Sequence, residues 1–409
     1  MSKQVSLLDS FLLPLWTTLM ELALSAAAGG LCIIALFVRK GKCRTSQSME
    51  GKTVIITGAN AGIGKETAKE LARRKARVIM ACRNLDKAKK AAQEIFEETR
   101  QPVIVKHLDL ASLKSVREFA ADIVRTEPRL DVLINNAGIV PGKATSGSSL
   151  LYVTARRHKL SCTKGSCQRY ELALLAFAAV QHKLKRSIAY SATDPPARGA
   201  RDRSCGVRSE SSSEVQLTED GFDVGFQSNF LGHFLLTMLL VDLLKRSSPS
   251  RVINVSSILH HVGSVDHLED KARGVHPVRT PVLVYSNTKL AQVLFTKALA
   301  ERLKGTGVTV NAVHPGNVKT EIANQSPGAF FFNLLLDLAG KSTSEGAQTS
   351  IFAAVHPRLA KETGNYYADC KKGWVSRRAK DRRAAERLFQ ISSKLVNLEG
   401  PDANNLGRG

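Results

Sequence analysis

Tyr285 and Lys289, in Y-S-N-T-K, stand four residues apart, so on a helix they share one face. A tyrosine hydroxyl has a reference pKa of about 10, too high to exchange protons readily near neutrality. A neighbouring ammonium favours the phenolate and lowers that value, so the pair suits general acid/base work. Taken alone, Tyr-x-x-x-Lys is more often a surface pair on a helix, and the Ser-Ser of NVSS more often closes a turn. Upstream, G-A-N-A-G-I-G supplies Gly58, Gly62 and Gly64. Glycines at such spacing let the backbone turn sharply and approach a pyrophosphate, which then sits at a helix N-terminus.

These groups need elements to hold them. KTVIIT, residues 52–57, is β-branched and apolar and predicts a buried strand. KETAKELARR follows the glycines at helical spacing, and a glycine loop between strand and helix carries more weight than a glycine triplet alone. RVIMAC predicts a second strand ending at Cys82-Arg83. VIVKHLDL predicts a third ending at Asp109-Leu110, and LDVLINNAG a fourth ending in the Asn135–Gly138 turn. This alternation predicts an α/β fold, a Rossmann-type doubly wound parallel sheet in a single domain, with ligands at the carboxyl ends of the strands. NAD-binding units usually place a carboxylate after the second strand to hold the ribose 2′-hydroxyl. Here Arg83 stands there, which suits a 2′-phosphate and therefore NADP(H); a solvated arginine opening a helix is the alternative.

The chain has 409 residues, 43% of them hydrophobic, and a formal net charge of +23. Such a charge often marks a nucleic-acid or anionic-lipid partner. Aromatic and basic residues do not alternate as a single-stranded nucleic-acid groove requires, so no nucleic acid is expected; a phosphate-bearing cofactor and a membrane surface account for the charge. Seven cysteines form no even framework, and Cys162 and Cys167 lack a second pair at zinc spacing, so no metal site is expected. From Leu22 to Val38 the chain is apolar and uncharged, and Arg39, Lys40, Lys42 and Arg44 follow directly. That pattern predicts an uncleaved membrane helix with the rest of the chain in the cytosol; a cleaved signal would want a more basic start than Lys3. Cys43 is expected as a plain thiol, with acylation as the alternative.

TGANAGIG, DLASL, NNAG, NVSS, YSNTK and HPG occur in that order, and together they resemble the short-chain dehydrogenase/reductase family. VIMACRN, FLGHFLLT, VNAVHPG and GNYYADC resemble its membrane-anchored retinol dehydrogenase branch, the retinol dehydrogenase 11–14 and dehydrogenase/reductase member 13 group. The resemblance covers roughly residues 50–141 and 216–398. It implies that Tyr285 is the general acid/base, that Lys289 supports it and bonds the cofactor ribose, and that Ser257 holds the substrate oxygen. It implies that Asn229 anchors a water relay to Lys289 and that Thr320 holds the nicotinamide carboxamide. Gly58, Gly62, Ile63, Gly64, Arg83, Asp109, Leu110, Asn136, Ala137 and Gly138 complete the implied cofactor site.

Two departures stand out. Lys75, in ARRKARV, occupies a position where the family usually has glycine, at the left-handed end of the first helix; lysine there should cost up to about 1 kcal/mol. Residues 144–215 resemble nothing in the family and are charged and rich in helix breakers. They read as a disordered or aberrant insertion, with ELALLAFAAVQHKLKR as a basic helix for a membrane or another subunit being the alternative. The expected organisation is residues 1–45 as anchor and basic flank, 46–398 as catalytic domain interrupted by 144–215, and 399–409 as a tail.

AFFFNLLLDLAG, residues 329–340, suits either a lid over an apolar substrate or plain core packing. With the anchor it points to a lipophilic alcohol and its carbonyl. Retinol and retinal are what the resemblance implies, with reduction favoured by a largely reduced NADP pool; steroids and lipid aldehydes are alternatives. An endoplasmic reticulum or other intracellular membrane and a possible homo-oligomer are expected with that branch. The rival class is a silent, membrane-tethered cofactor-binding protein disabled by the insertion.

Overall fold

The computed structural model describes residues 41–140, 215–277, 280–316, 318 and 340–398. The apolar segment Leu22–Val38, the segment 144–214, Cys162, Cys167, Thr320 and the run 329–339 lie outside the described residues.

Strands β1 (Thr53–Thr57), β2 (Arg77–Cys82), β3 (Ile104–His107) and β4 (Val132–Asn135) alternate with helices α1 (Gly62–Arg73), α2 (Leu85–Thr99) and α3 (Leu113–Thr126). After residue 223 come a helical turn, a π-helical turn Gln227–Leu231 and α4 (Gly232–Arg246). Then follow β5 (Ser250–Val255), α5 (Leu268–Ala272), α6 (Pro281–Arg302), β6 (Val308–His314), α7 (Thr343–Val355), β7 (Tyr366–Ala368), β8 (Lys371–Lys372) and α8 (Arg382–Leu395). The eight strands form one sheet in the order β3-β2-β1-β4-β5-β6-β7-β8, parallel except for the antiparallel β8. The expected doubly wound parallel sheet is what the chain forms. Its strand order reverses between β1 and β4, so a crevice opens at their carboxyl ends, where the glycine loop and the NNAG turn lie.

Alternate strand residues face opposite sides of a sheet, and here both sides are covered. Val54, Ile56, Val78 and Met80 pack under α1, α2 and α7, whereas Ile55, Ile79, Leu133 and Val252 pack under α3, α4, α6 and α8. That two-sided burial explains why KTVIIT and RVIMAC are apolar without alternation. Residues Val224–Arg246 are long and apolar enough to cross a membrane, but 83% of that window is buried inside the protein. Its hydropathy belongs to the core, where Phe226, Phe230 and Phe234 stack against one another and against Phe295 of α6.

Lys75 does adopt the left-handed conformation, with φ 68°. The Lys75 amide donates to the Ala72 carbonyl at 2.7 Å and the Ala76 amide to the Leu71 carbonyl at 3.0 Å. This Schellman arrangement ends α1 and turns the chain into β2.

Candidate active site

The glycine loop joins β1 to α1. Gly58 and Gly62 have φ values of +65° and +57°, which L side chains rarely adopt, and a Cβ on Gly64 would overlap the Gly58 carbonyl oxygen. Ala61 caps α1 without a side-chain hydrogen bond, so the first amides of the helix keep their donors for a ligand. Ile63 is partly buried against the core under α1, and its side chain lies beside Gly346. Beneath the loop, Cys82 is buried with the amides of Ala59 and Asn60 near its sulfur, and burial raises its pKa. Arg83 follows at the end of β2, exposed and without an ion pair among the described residues. These features fit a pyrophosphate at the α1 N-terminus and leave Arg83 free to meet a further phosphate.

Other members of the implied cofactor site are held as follows. Asp109 turns its carboxylate to the Ala111 amide at 2.9 Å. Leu110 is buried, and its carbonyl presses so closely on Gly232 that a side chain there would collide. Asn136 donates to the Thr57 carbonyl at 2.9 Å and braces the glycine loop. Ala137 packs on Gly58, and a Cβ at Gly138 would stand 3.5 Å from Lys289 Nζ.

Ser257 and Tyr285 lie side by side, although they come from different elements. Ser257 leaves β5 and caps the short turn Ile258–His261, while Tyr285 lies in the second turn of α6, which Thr280 and Pro281 start. Lys289 sits one turn further on, 3% exposed, its Nζ 5.3 Å from the centre of the Tyr285 ring. Burial raises Tyr285 to about 12, opposed by the neighbouring Ser257 hydroxyl. The lowering expected from Lys289 is not what the protein alone produces. The lysine donates instead to the Val255 carbonyl at 2.8 Å, and burial brings Lys289 itself down to about 8. The expected ribose contact would have to share that ammonium, which has three donors.

Asn229 lies in the π-helical turn, a distortion that recurs at functional sites. Its side chain clamps the backbone of Ile139, accepting from the amide at 2.7 Å and donating to the carbonyl at 2.8 Å. It also donates to Thr288 at 3.3 Å, on the turn between Tyr285 and Lys289. Its main-chain carbonyl accepts from Gln292 at 2.7 Å and from His233 Nδ1 at 3.0 Å.

Three of these partners were not legible beforehand. Thr57 Oγ1 accepts from the amides of Asn136 and Ala137 at 2.9 and 3.0 Å, so its own proton points to His233 Nε2, 2.8 Å away. His233 therefore carries its proton on Nδ1 and passes it to the Asn229 carbonyl. It is fully buried, and burial lowers its pKa to about 4, so the ring is neutral. Thr57, His233 and Gln292 thus tie the cofactor loop to the helix of Tyr285 and Lys289. On the other side, the His260 Nδ1 donates to the Ser257 carbonyl at 2.7 Å. Among the described residues, His260 Nε2 and the Tyr366 hydroxyl are buried without a hydrogen-bond partner. Among the described residues no cluster of ligands could hold a metal ion.

The family model "short chain dehydrogenase" matches residues 52–152, and the model "Enoyl-(Acyl carrier protein) reductase" matches residues 203–341. Retinol dehydrogenase 13 of Homo sapiens is 38% identical over 386 residues, covering 93% of this chain and 95% of the relative. Retinol dehydrogenase 12 of Bos taurus is 39% identical over 379 residues, covering 90% and 95%. Among solved structures, an uncharacterised protein from Mycobacterium paratuberculosis superposes with a TM-score of 0.56 at 29% identity, covering 86% of this chain and 95% of that one. A short-chain dehydrogenase from Shigella flexneri 2a complexed with NADP shares the fold, with a TM-score of 0.51 at 19% identity, covering 80% and 100%. With this sheet, this glycine loop and relatives of that identity over nearly their whole length, the chain belongs to the short-chain dehydrogenase/reductase family and is a homologue of the retinol dehydrogenases.

Proposed function

We propose that this oxidoreductase reduces a lipophilic carbonyl compound, all-trans-retinal or a close analogue, to its alcohol with NADPH. The observation that carries the reading is Ser257 beside Tyr285, with Lys289 one helical turn away and its ammonium against Gly138 of the turn after β4. When bound, the nicotinamide dinucleotide supplies the hydride. Gly58, Gly62, Ile63, Gly64 and the α1 amides hold its pyrophosphate, Asp109 through Leu110 and Asn136 through Gly138 line its path, and Arg83 meets the 2′-phosphate. Thr320 is assigned to the carboxamide.

Ser257 orients the substrate oxygen, and Tyr285 gives it a proton. A tyrosine at about 12 is protonated at neutral pH, so the side chain can serve as the acid that reduction requires. The Lys289 ammonium stabilises the phenolate as it forms. Asn229 holds the turn that positions Lys289. Anchoring by Leu22–Val38 in an intracellular membrane, with residues 46–398 on the cytosolic side, would set the site beside a reservoir of such substrates.

The test is NADPH oxidation by the full chain with all-trans-retinal, steroids and medium-chain aldehydes, beside NADPH binding by fluorescence. Retinal is expected to turn over fastest. Tyr285→Phe should lower kcat about 10²- to 10⁴-fold, the usual contribution of a general acid, while NADPH still binds. Binding without turnover of any carbonyl would favour a silent cofactor-binding protein. A preference for a steroid or an aliphatic aldehyde would move the substrate and leave the chemistry.

A further inference from the structure

Residues 371–383, KKGWVSRRAKDRR, run from β8 into the first turn of α8. Lys371, Lys372, Arg377, Arg378, Lys380, Arg382 and Arg383 are all exposed, and none forms an ion pair among the described residues. The single acid of the run, Asp381, is engaged as the cap of α8, accepting from the Ala384 amide at 3.0 Å. The charges belong to one face. Lys297 of α6 feels Lys380, Lys372 and Arg382 as well as Glu301, and Lys271 of α5 feels Asp266 and Arg378. Seven cations against the capping Asp381 and the neighbouring Glu301 and Asp266 leave a positive excess, which an anionic partner would stabilise.

Two further observations say which partner. The face carries exposed apolar groups beside the turn that Ser257 caps. Trp374 is 43% exposed and lies stacked on His261, ring centroids 4.5 Å apart, at the end of the turn that Ser257 caps. Val262, next in the chain, is 48% exposed, and Arg378 donates to the following Gly263 carbonyl at 2.9 Å. Tryptophan flanked by cations is the composition of a membrane interface. The face also lies where the chain comes away from its apolar N-terminal segment. Gly41 packs against the Asp369 backbone so tightly that a side chain would collide, and the Cys43 amide donates to Gln348 at 3.0 Å. Cys370, in the same β7–β8 turn, meets the Gln348 carbonyl at 3.4 Å. Only a few residues separate Gly41 from Val38, and Lys42 and Arg44 add exposed cations there.

We infer that the face formed by residues 371–383, with Trp374 and Val262 at its rim, rests on an anionic lipid surface and turns the mouth of the Ser257–Tyr285 site towards the bilayer. The inference rests on the proposed membrane anchor and lipophilic substrate. Lipid-borne substrate then enters beside Trp374 without crossing water, and the anchor sets only the distance of the domain from the membrane.

The experiment uses the full chain with Trp16→Phe, which leaves Trp374 as the sole tryptophan. It is reconstituted into phosphatidylcholine vesicles with or without phosphatidylserine, both containing lipid brominated near the headgroup end of the acyl chain. Trp374 is expected to be quenched at least about twofold more in the anionic vesicles, and the difference should fade in high salt. Lys371→Glu with Lys372→Glu and Lys380→Glu should abolish the difference and raise KM for vesicle-borne retinal about tenfold, with NADPH affinity unchanged. Equal quenching in both vesicles, or in the triple variant and the parent, overturns the inference. So does a stronger fluorescence change with a short DNA duplex than with anionic vesicles. Flotation separates the two readings: a chain that floats with neutral vesicles but shows no anionic quenching has the anchor without the docking face. A chain that floats and quenches only with anionic vesicles has the face without the anchor.

Discussion

His233 shows how much of this site depends on side chains that touch neither cofactor nor substrate. Its two ring nitrogens have opposite duties, accepting from Thr57 and donating to the Asn229 carbonyl, and burial keeps it neutral. His233→Phe keeps the volume and removes both bonds; Thr57→Val removes one of them and leaves two loop amides unpaired. Each change is expected to destabilise the fold by about 1–3 kcal/mol and to weaken NADPH binding. Because both act on one network, the double variant should lose less than the sum of the singles, by about 0.5–3 kcal/mol. Denaturant titrations and NADPH fluorescence of the four proteins measure this, and strict additivity would show that the two residues act separately.

At the scale of elements, the end of α1 and the junction around residues 139–229 are the informative places. The Schellman turn needs a left-handed residue, and Lys75 occupies it with a Cβ that disfavours φ 68°. Its contact with Glu50, 3.4 Å long and exposed at both ends, offsets little. Lys75→Gly is therefore expected to raise stability by about 1 kcal/mol, read as a higher denaturation midpoint; no change or a decrease would mean that the lysine contact outweighs the backbone strain. At the junction, the Asn229 side chain holds Ile139 from both backbone atoms, so the two flanks of residues 144–215 meet at the site itself. The two family matches stop at 152 and resume at 203, both inside that stretch. Closing a long loop costs little more than closing a short one, so the flanks can pair with the segment present. The burden falls on activity, because both flanks join at Asn229. Removing residues 144–215 should raise kcat severalfold without changing NADPH affinity, and equal turnover of the two purified proteins would refute this.

For the whole molecule, buried neutral histidines tie stability to pH. His233 and His260 are fully buried, and burial lowers each to about 4 from an ordinary value of 6.5. Between those values the unfolded chain binds protons that the folded chain refuses, so stability is intact above pH 6.5 and falls as the pH drops towards 4. By pH 5 each contributes a loss of about 2 kcal/mol. Thermal denaturation from pH 7.5 to 5 should show Tm falling, and His233→Phe should flatten that fall relative to its own lower starting value.

What the sequence determined by itself was local or repeated along the chain. The buried strands, the glycine loop and the Tyr285–Lys289 face follow from apolar runs, turn chemistry and helical spacing, each written within a few consecutive residues, while the left-handed Lys75 followed from the family resemblance. The tertiary structure alone decided what those groups meet. It set Ser257 against Tyr285, turned Lys289 to Val255 and brought the Cys82 sulfur under the glycine loop. It also joined Thr57 to His233, 176 positions apart. A histidine in FLGHF looks like any polar residue on an apolar helix until packing buries it. Burial removes water as a partner, and a ring nitrogen then has to find its hydrogen bond in whatever strand the fold lays beside it.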